Sequence, residues 1–185
     1  AMTLVGTSAP ASGGEHLLSH TLDMMSSVDG VAHDLHGRQV GLGTLFSSAI
    51  YDRIFQIDNP PSHNPPIMID STFWGRLAES VRQQYDQKKP MLQILRGKLT
   101  DNETWRAFLD ACRDQVRSPD QIKSCLRTAG AAHTFKDIGC SRERLRDAIL
   151  HMHEIRKRPT VIDLAWILGI LPHAAEDIID QWLTA

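Results

Sequence analysis

Little in this sequence points outward. The three cysteines, Cys112, Cys125 and Cys140, are widely spaced, form no C-x-x-C pair and are odd in number. That argues against a secreted disulfide framework and fits a reducing cytoplasm. They read as buried small hydrophobes. Charge of one sign is also missing. The formal net charge is −2, which gives no reason to expect a nucleic-acid or membrane partner. The densest basic run, Arg156-Lys157-Arg158, falls where a helix is expected to end and reads as a complement to its dipole. The longest apolar stretch, Val161 to Leu171, is interrupted by Asp163 and is too short to cross a bilayer. The first residues lack the basic n-region of a secretory signal. No run of β-branched residues alternates with polar ones between turn signals, so no strand is expected, and no internal repeat is evident.

What is present reads as helix. At 185 residues, 42% apolar and 23% charged, the chain can bury a sizeable core. Ala1 to Val5 reads as the tail of a helix already in progress, which raises the expectation of a longer protein beginning upstream. Turn chemistry at Gly6 to Pro10 and at Ser12-Gly13-Gly14 precedes a helix over about Glu15–Val28, where Leu17, Leu18, Leu22, Met25 and Val28 recur at helical spacing. Asp29-Gly30 closes it. A second long helix is expected from His36 to about Phe55, with Gly41 and Gly43 allowing another backbone to approach closely. Pro60, Pro61, Pro65 and Pro66 mark a loop over about 56–70, and residues 71–185 read as further helices. Thr100-x-x-Glu103 and Ser118-x-x-Gln121 have capping-box spacing, the second with Pro119 at the first helical position. Thr134-x-x-Asp137 and Thr160-x-x-Asp163 are weaker versions; Ser141 is a cap candidate, and Pro172 a candidate opening for the last helix. The expected architecture is an all-α, multi-helix domain spanning 1–185, with the chemistry in 1–55.

Of the nine histidines, four crowd into one stretch: His16, His20, His33 and His36. His16 and His20 are four apart and share one helix face. Leu17 stands where a metalloprotease would carry its general-base glutamate, so the pair is not that motif. His36, at the start of the next helix, can return beside His16 if the two helices run antiparallel. Two imidazoles make a poor site without a third protein ligand, usually a carboxylate. Glu15 points about 100° away from His16 on an ideal helix, and neither Asp23 nor Asp34 is compelling, so spacing leaves the third ligand open. A hydrogen-bonded histidine pair without metal is the plain alternative. His151 and His153, two apart, face different sides of a helix. Trp74, Trp105, Trp166 and Trp182 read as core or interface anchors.

The stretches Ser12-Gly13-Gly14-Glu15-His16-Leu17-Leu18-Ser19-His20 and His36-Gly37-Arg38-Gln39-Val40-Gly41-Leu42-Gly43-Thr44 resemble the C-terminal domain of sn-glycerol-1-phosphate dehydrogenases. These belong to the superfamily of iron-containing alcohol dehydrogenases, glycerol dehydrogenases and dehydroquinate synthases. Leu126 to Ala131, Ile138 to Glu143, Leu145 to His151 and Thr160 to Ala165 look like that subfamily as well. The resemblance implies a two-domain enzyme, with this chain as the helical half and an N-terminal α/β domain holding NAD or NADP. It implies a divalent metal, zinc, nickel or iron, on His16 and His36, with an aspartate upstream of residue 1 as third ligand. It places His20 near the substrate, as proton relay or substrate contact; the alternative is a partner that orients His16. It implies Lewis-acid-assisted hydride transfer between sn-glycerol 1-phosphate and dihydroxyacetone phosphate. A substrate phosphate is expected at the helix N-terminus formed by Ser12, Gly13 and Gly14, unless these are a plain N-cap turn. Two departures bear on the substrate: Arg38 stands where the superfamily often has Glu, and Ala9 where many subfamily members carry a basic residue. Other expected partners are a small phosphorylated polyol, the chain's own nucleotide-binding domain and further copies in a homo-oligomer. The alternatives are a related polyol dehydrogenase, a dehydroquinate-synthase-like lyase and a non-catalytic helical module.

Overall fold

A computed structural model describes residues 13–184. The readings of Ala1 to Val5, Gly6 to Pro10 and Ser12 lie outside the described residues. Within them the chain is helical, with no strand. Two long helices, α1 (Gly14–Asp29) and α2 (His36–Ile54), form the centre. The rest of the chain supplies α3 (Ser71–Trp74), α4 (Ala78–Lys98), α5 (Asn102–Arg113), α6 (Pro119–Thr128), α7 (Arg142–His151), α8 (Val161–Ile167) and α9 (Ala175–Ile178). The last continues as a π-helical turn, Ile179–Leu183. Among the described residues no helix is long and apolar enough to cross a membrane.

The apolar periodicity explains what α1 and α2 bury. Leu17, Leu18 and Leu22 of α1 meet Leu42, Leu45, Phe46 and Ile50 of α2, all buried. α1 also packs on α7, and α2 packs on α6, α8 and the terminal π turn. Asp29-Gly30 ends α1 as expected: Gly30 takes the left-handed conformation (φ 76°) and its N–H donates to Ser26 O. The chain then reverses, so α2 runs back along α1. The expected close approach is real at Gly43, where a Cβ would stand 2.1 Å from the carbonyl oxygen of Glu15. At Gly41 the nearest atoms would be an ordinary 3.5 Å away.

The caps mostly follow the sequence. Ser118 and Gln121 form a reciprocal capping box on α6 with Pro119 at the first position, and Thr160 and Asp163 form another on α8. Ser141 caps α7. Thr134 and Asp137 bond reciprocally around a 3-10 turn rather than an α-helix. The cap at 100–103 is corrected by one residue. Asp101, not Thr100, accepts from Thr104 N, because a carboxylate here reaches the orphan amide directly. The last helix opens at Ala175, three residues beyond Pro172. Cys125 is exposed and Cys112 and Cys140 are only half-buried, so the reading of all three as buried is corrected.

The second half of the chain carries a polar core. The Lys88 ammonium of α4 lies 2.7 Å from Asp163 Oδ1 of α8, with both side chains essentially inaccessible to solvent. The contact is an ion pair by distance, although that oxygen lacks hydrogen-bond geometry. Nearby, Glu154 accepts from the Trp74 indole N–H (2.5 Å) and from Asp70 N (3.0 Å). His153 is buried and held neutral, its pKa pushed down to about 3 by burial and by the Lys88 charge.

Candidate metal centre

The turn between α1 and α2 brings three imidazoles together. Helical spacing stacks His16 and His20 on one face of α1, with ring centroids 6.1 Å apart. His36, the first residue of α2, lies 5.3 Å from each of them. His33 stays outside this triangle; its Nδ1 is 2.9 Å from Asp23 Oδ1. Asp34 is taken up by Arg38, whose Nε lies 2.6 Å from its carboxylate. The Arg38 guanidinium also reaches the Asp137 carbonyl, so Arg38 braces the turn.

Two of the rings have one nitrogen tied down. The buried Ser19 hydroxyl donates to Gln39 Oε1 at 2.7 Å, which leaves its oxygen to accept from His36 Nδ1 at 2.7 Å. Nδ1 of His36 is therefore the donor in this bond, and Nε2 is the ring nitrogen left over for a ligand role. His16 Nδ1 sits 2.9 Å from Glu15 Oε1, which also accepts from Gly13 N at 2.8 Å. Burial by itself raises the Glu15 pKa, but the backbone amides and the His16 ring outweigh it and hold the carboxylate below its usual value. An ionised Glu15 keeps the proton on Nδ1 and leaves His16 Nε2 as ligand. The expectation that Glu15 faces away from His16 is thus corrected, since the flexible side chain folds back across the helix end. His20 is held below the usual histidine range by burial first and then by the charge of Arg156, so its imidazole is neutral at pH 7.

The donor types suit a divalent cation: imidazole nitrogens with a neighbouring carboxylate. Ligand atoms of His20, Asp23 and His36 all lie within 4.8 Å of one another. Asp23 Oδ1 is buried without a hydrogen bond in good geometry. The described residues therefore offer two overlapping sets that share His36, one with His16 and one with His20 and Asp23.

Among curated proteins the chain is 46% identical over 183 residues to the glycerol-1-phosphate dehydrogenase [NAD(P)+] of Methanococcus maripaludis strain S2, a match covering 97% of this chain and 36% of that protein. The chain belongs to the glycerol-1-phosphate dehydrogenase family. The enzyme of the same name from Bacillus licheniformis is 24% identical over 171 residues, covering 92% of this chain and 32% of the relative. That of Korarchaeum cryptofilum is 53% identical over 45 residues, 24% of this chain and 14% of the relative. The chain spans about a third of the length of the relatives that it matches over most of its own length, and the matches fall in their C-terminal part. No family model and no solved structure matches it.

Within this glycerol-1-phosphate dehydrogenase homologue, the residues singled out from sequence meet different fates. His16, His20 and His36 converge. Ser12 lies outside the described residues. The Gly13 N–H goes to Glu15, and Gly14 is buried against Val161, Ile162 and Ser47. Ser19 and Gln39 were missed as the pair that orients His36, although both lie inside the quoted motifs. Their buried, mutually satisfied hydrogen bonds are a tertiary feature. Ser19→Ala should lower divalent-metal affinity by about 10–100-fold while leaving the helical circular dichroism intact, because it removes the group that fixes the His36 ring. Titration with cobalt, followed by its visible spectrum, checks this; unchanged affinity would show that the tether is dispensable.

Proposed function

We propose that this chain is the metal- and substrate-binding part of an NAD(P)-dependent dehydrogenase interconverting sn-glycerol 1-phosphate and dihydroxyacetone phosphate. The observation that carries the reading is the convergence of His16 and His36, each with Nδ1 anchored and Nε2 left free. In this reading those two residues hold the cation, zinc, nickel or iron, with a third ligand from outside the described residues. When bound, the cation supplies Lewis-acid polarisation of the substrate's C2 oxygen. His20, neutral and beside the cluster, accepts the proton released from the C2 hydroxyl in oxidation and returns it in reduction. Hydride exchange needs a nicotinamide, which a nucleotide-binding domain of the complete enzyme would hold. A cytoplasmic setting and assembly into a homo-oligomer belong to the same proposal.

A second ligand set is favoured by one observation, the mutual proximity of His20, Asp23 and His36. Metal analysis of the complete protein separates the two. On the leading reading His16→Ala and His36→Ala each reduce bound metal to below about a tenth of wild type, and Asp23→Asn does not. Retention of metal in His16→Ala with loss in Asp23→Asn would transfer the cation to the second set. Equal metal in every variant would leave a non-catalytic helical module as the better account.

A further inference from the structure

Arg156 was expected to complement the end of a helix. Instead α7 ends at His151, and Arg156 lies five residues farther on, half-buried. Its backbone is left-handed (φ 69°), and among the described residues it is the only non-glycine with positive φ. Such a conformation is unfavourable for a long side chain and persists where the surrounding structure dictates it. Arg156 lines a cavity of about 440 Å³ whose other walls include His20, Asp23, Met24, Leu77 and Ile155. That volume is of the size that takes a small ligand. The cavity therefore has His20 of the histidine cluster and the Arg156 guanidinium in one lining, together with polar Asp23, Ser27 and Gln84 and apolar Met24, Leu77 and Ile155.

We infer that Arg156 binds the phosphate of the substrate, holding it in this cavity while the reacting carbons face His20. The inference rests on the dehydrogenase reading and deepens it by assigning the anion-binding group. Burial, followed by the charge of Arg158, lowers the Arg156 pKa, and the Glu15 carboxylate opposes that shift. The Arg156 guanidinium lining this cavity can pair with a phosphate dianion through charge-assisted hydrogen bonds. The helix N-terminus at Gly13 and Gly14 competes poorly for that role. The Gly13 amide already donates to Glu15 Oε1 at 2.8 Å and so is not available to a phosphate.

Two measurements on the complete protein test the assignment. The first is kcat/KM for dihydroxyacetone phosphate relative to dihydroxyacetone. Arg156→Gln should reduce that ratio on the order of 100-fold, with the loss mainly in KM for the phosphorylated ketone, and Arg156→Lys should restore part of it. Arg156→Gly, which suits the left-handed backbone, should show the same loss while keeping the wild-type Tm, so misfolding is excluded as the cause. A ratio equal to wild type in Arg156→Gln and Arg156→Gly overturns the assignment. The second is calorimetric titration with inorganic phosphate, which requires no turnover: binding in wild type that disappears in Arg156→Gln supports the assignment, and identical isotherms overturn it. Wild-type protein that ignores dihydroxyacetone phosphate would refute the dehydrogenase reading instead, and the phosphate titration would still decide the arginine.

Discussion

Gly43→Ala should lower stability by about 3 kcal/mol or more and weaken metal binding at the same time. A Cβ at this position would stand 2.1, 2.9 and 3.1 Å from the carbonyl oxygen, carbonyl carbon and Cα of Glu15. All three are backbone atoms, so no rotamer change relieves the clash. α1 and α2 must separate, and the separation is centred on the residue that orients His16. Overpacking in well-ordered cores typically costs 1–3 kcal/mol, and a backbone-to-backbone clash belongs at the upper end. For a chain of this size that corresponds to a Tm lower by roughly 6–12 °C. Gly41→Ala is the matched control: on the same helix, its new Cβ would meet neighbours at 3.5 Å, and the gain in helix propensity should leave it at or above wild-type stability. Thermal melts with cobalt titrations of both variants decide the matter. A Gly43→Ala protein that melts like wild type would show that the two helices do not pack as described.

Lys88→Met should have an effect of similar size for an electrostatic reason. Burial lowers the Lys88 pKa and raises that of Asp163, and the 2.7 Å contact between them opposes both shifts. Methionine keeps most of the lysine's volume and removes its charge, leaving Asp163 ionised in the core. Stranding one partner of a buried pair costs about 3–5 kcal/mol. The sign of the pH dependence follows from Asp163. Its folded pKa is raised, and without Lys88 that rise is unopposed, so the unfolded chain loses its proton first as pH increases. The deficit of Lys88→Met relative to wild type should therefore shrink as pH falls from 7 toward 4. Adding Asp163→Asn should recover part of the loss, though not all: its amide oxygen can still accept from Thr160 N, but its NH2 group replaces Oδ1, which is buried without a hydrogen-bond partner. Denaturant unfolding at several pH values reads these outcomes; a deficit that grows on acidification would contradict the burial argument.

Local patterns carried much of this protein. The 3.6-residue periodicity placed α1 and α2 to within a residue or two. The Asp29-Gly30 stop, the Ser118 and Thr160 boxes and the Ser141 cap were legible because each depends on residues three or four apart. The same reasoning put His16 and His20 on one face and marked Gly43 for a close approach. The Lys88–Asp163 pair was not legible: its members are 75 positions apart, and nothing local distinguishes Lys88 from an exposed lysine.

The sequence by itself determined the two long helices, several of the caps and the shared helix face of His16 and His20, since these are properties of short-range spacing. Only the tertiary structure decided which of those side chains meet. The reversal after Gly30 sets His36 beside His16 and His20, Ser19 bonds to Gln39 across two helices, and Arg156 swings into the cavity beside His20. Convergence of this kind depends on where helices cross and on which polar groups burial forces into partnership, and neither is encoded in the period of a single helix.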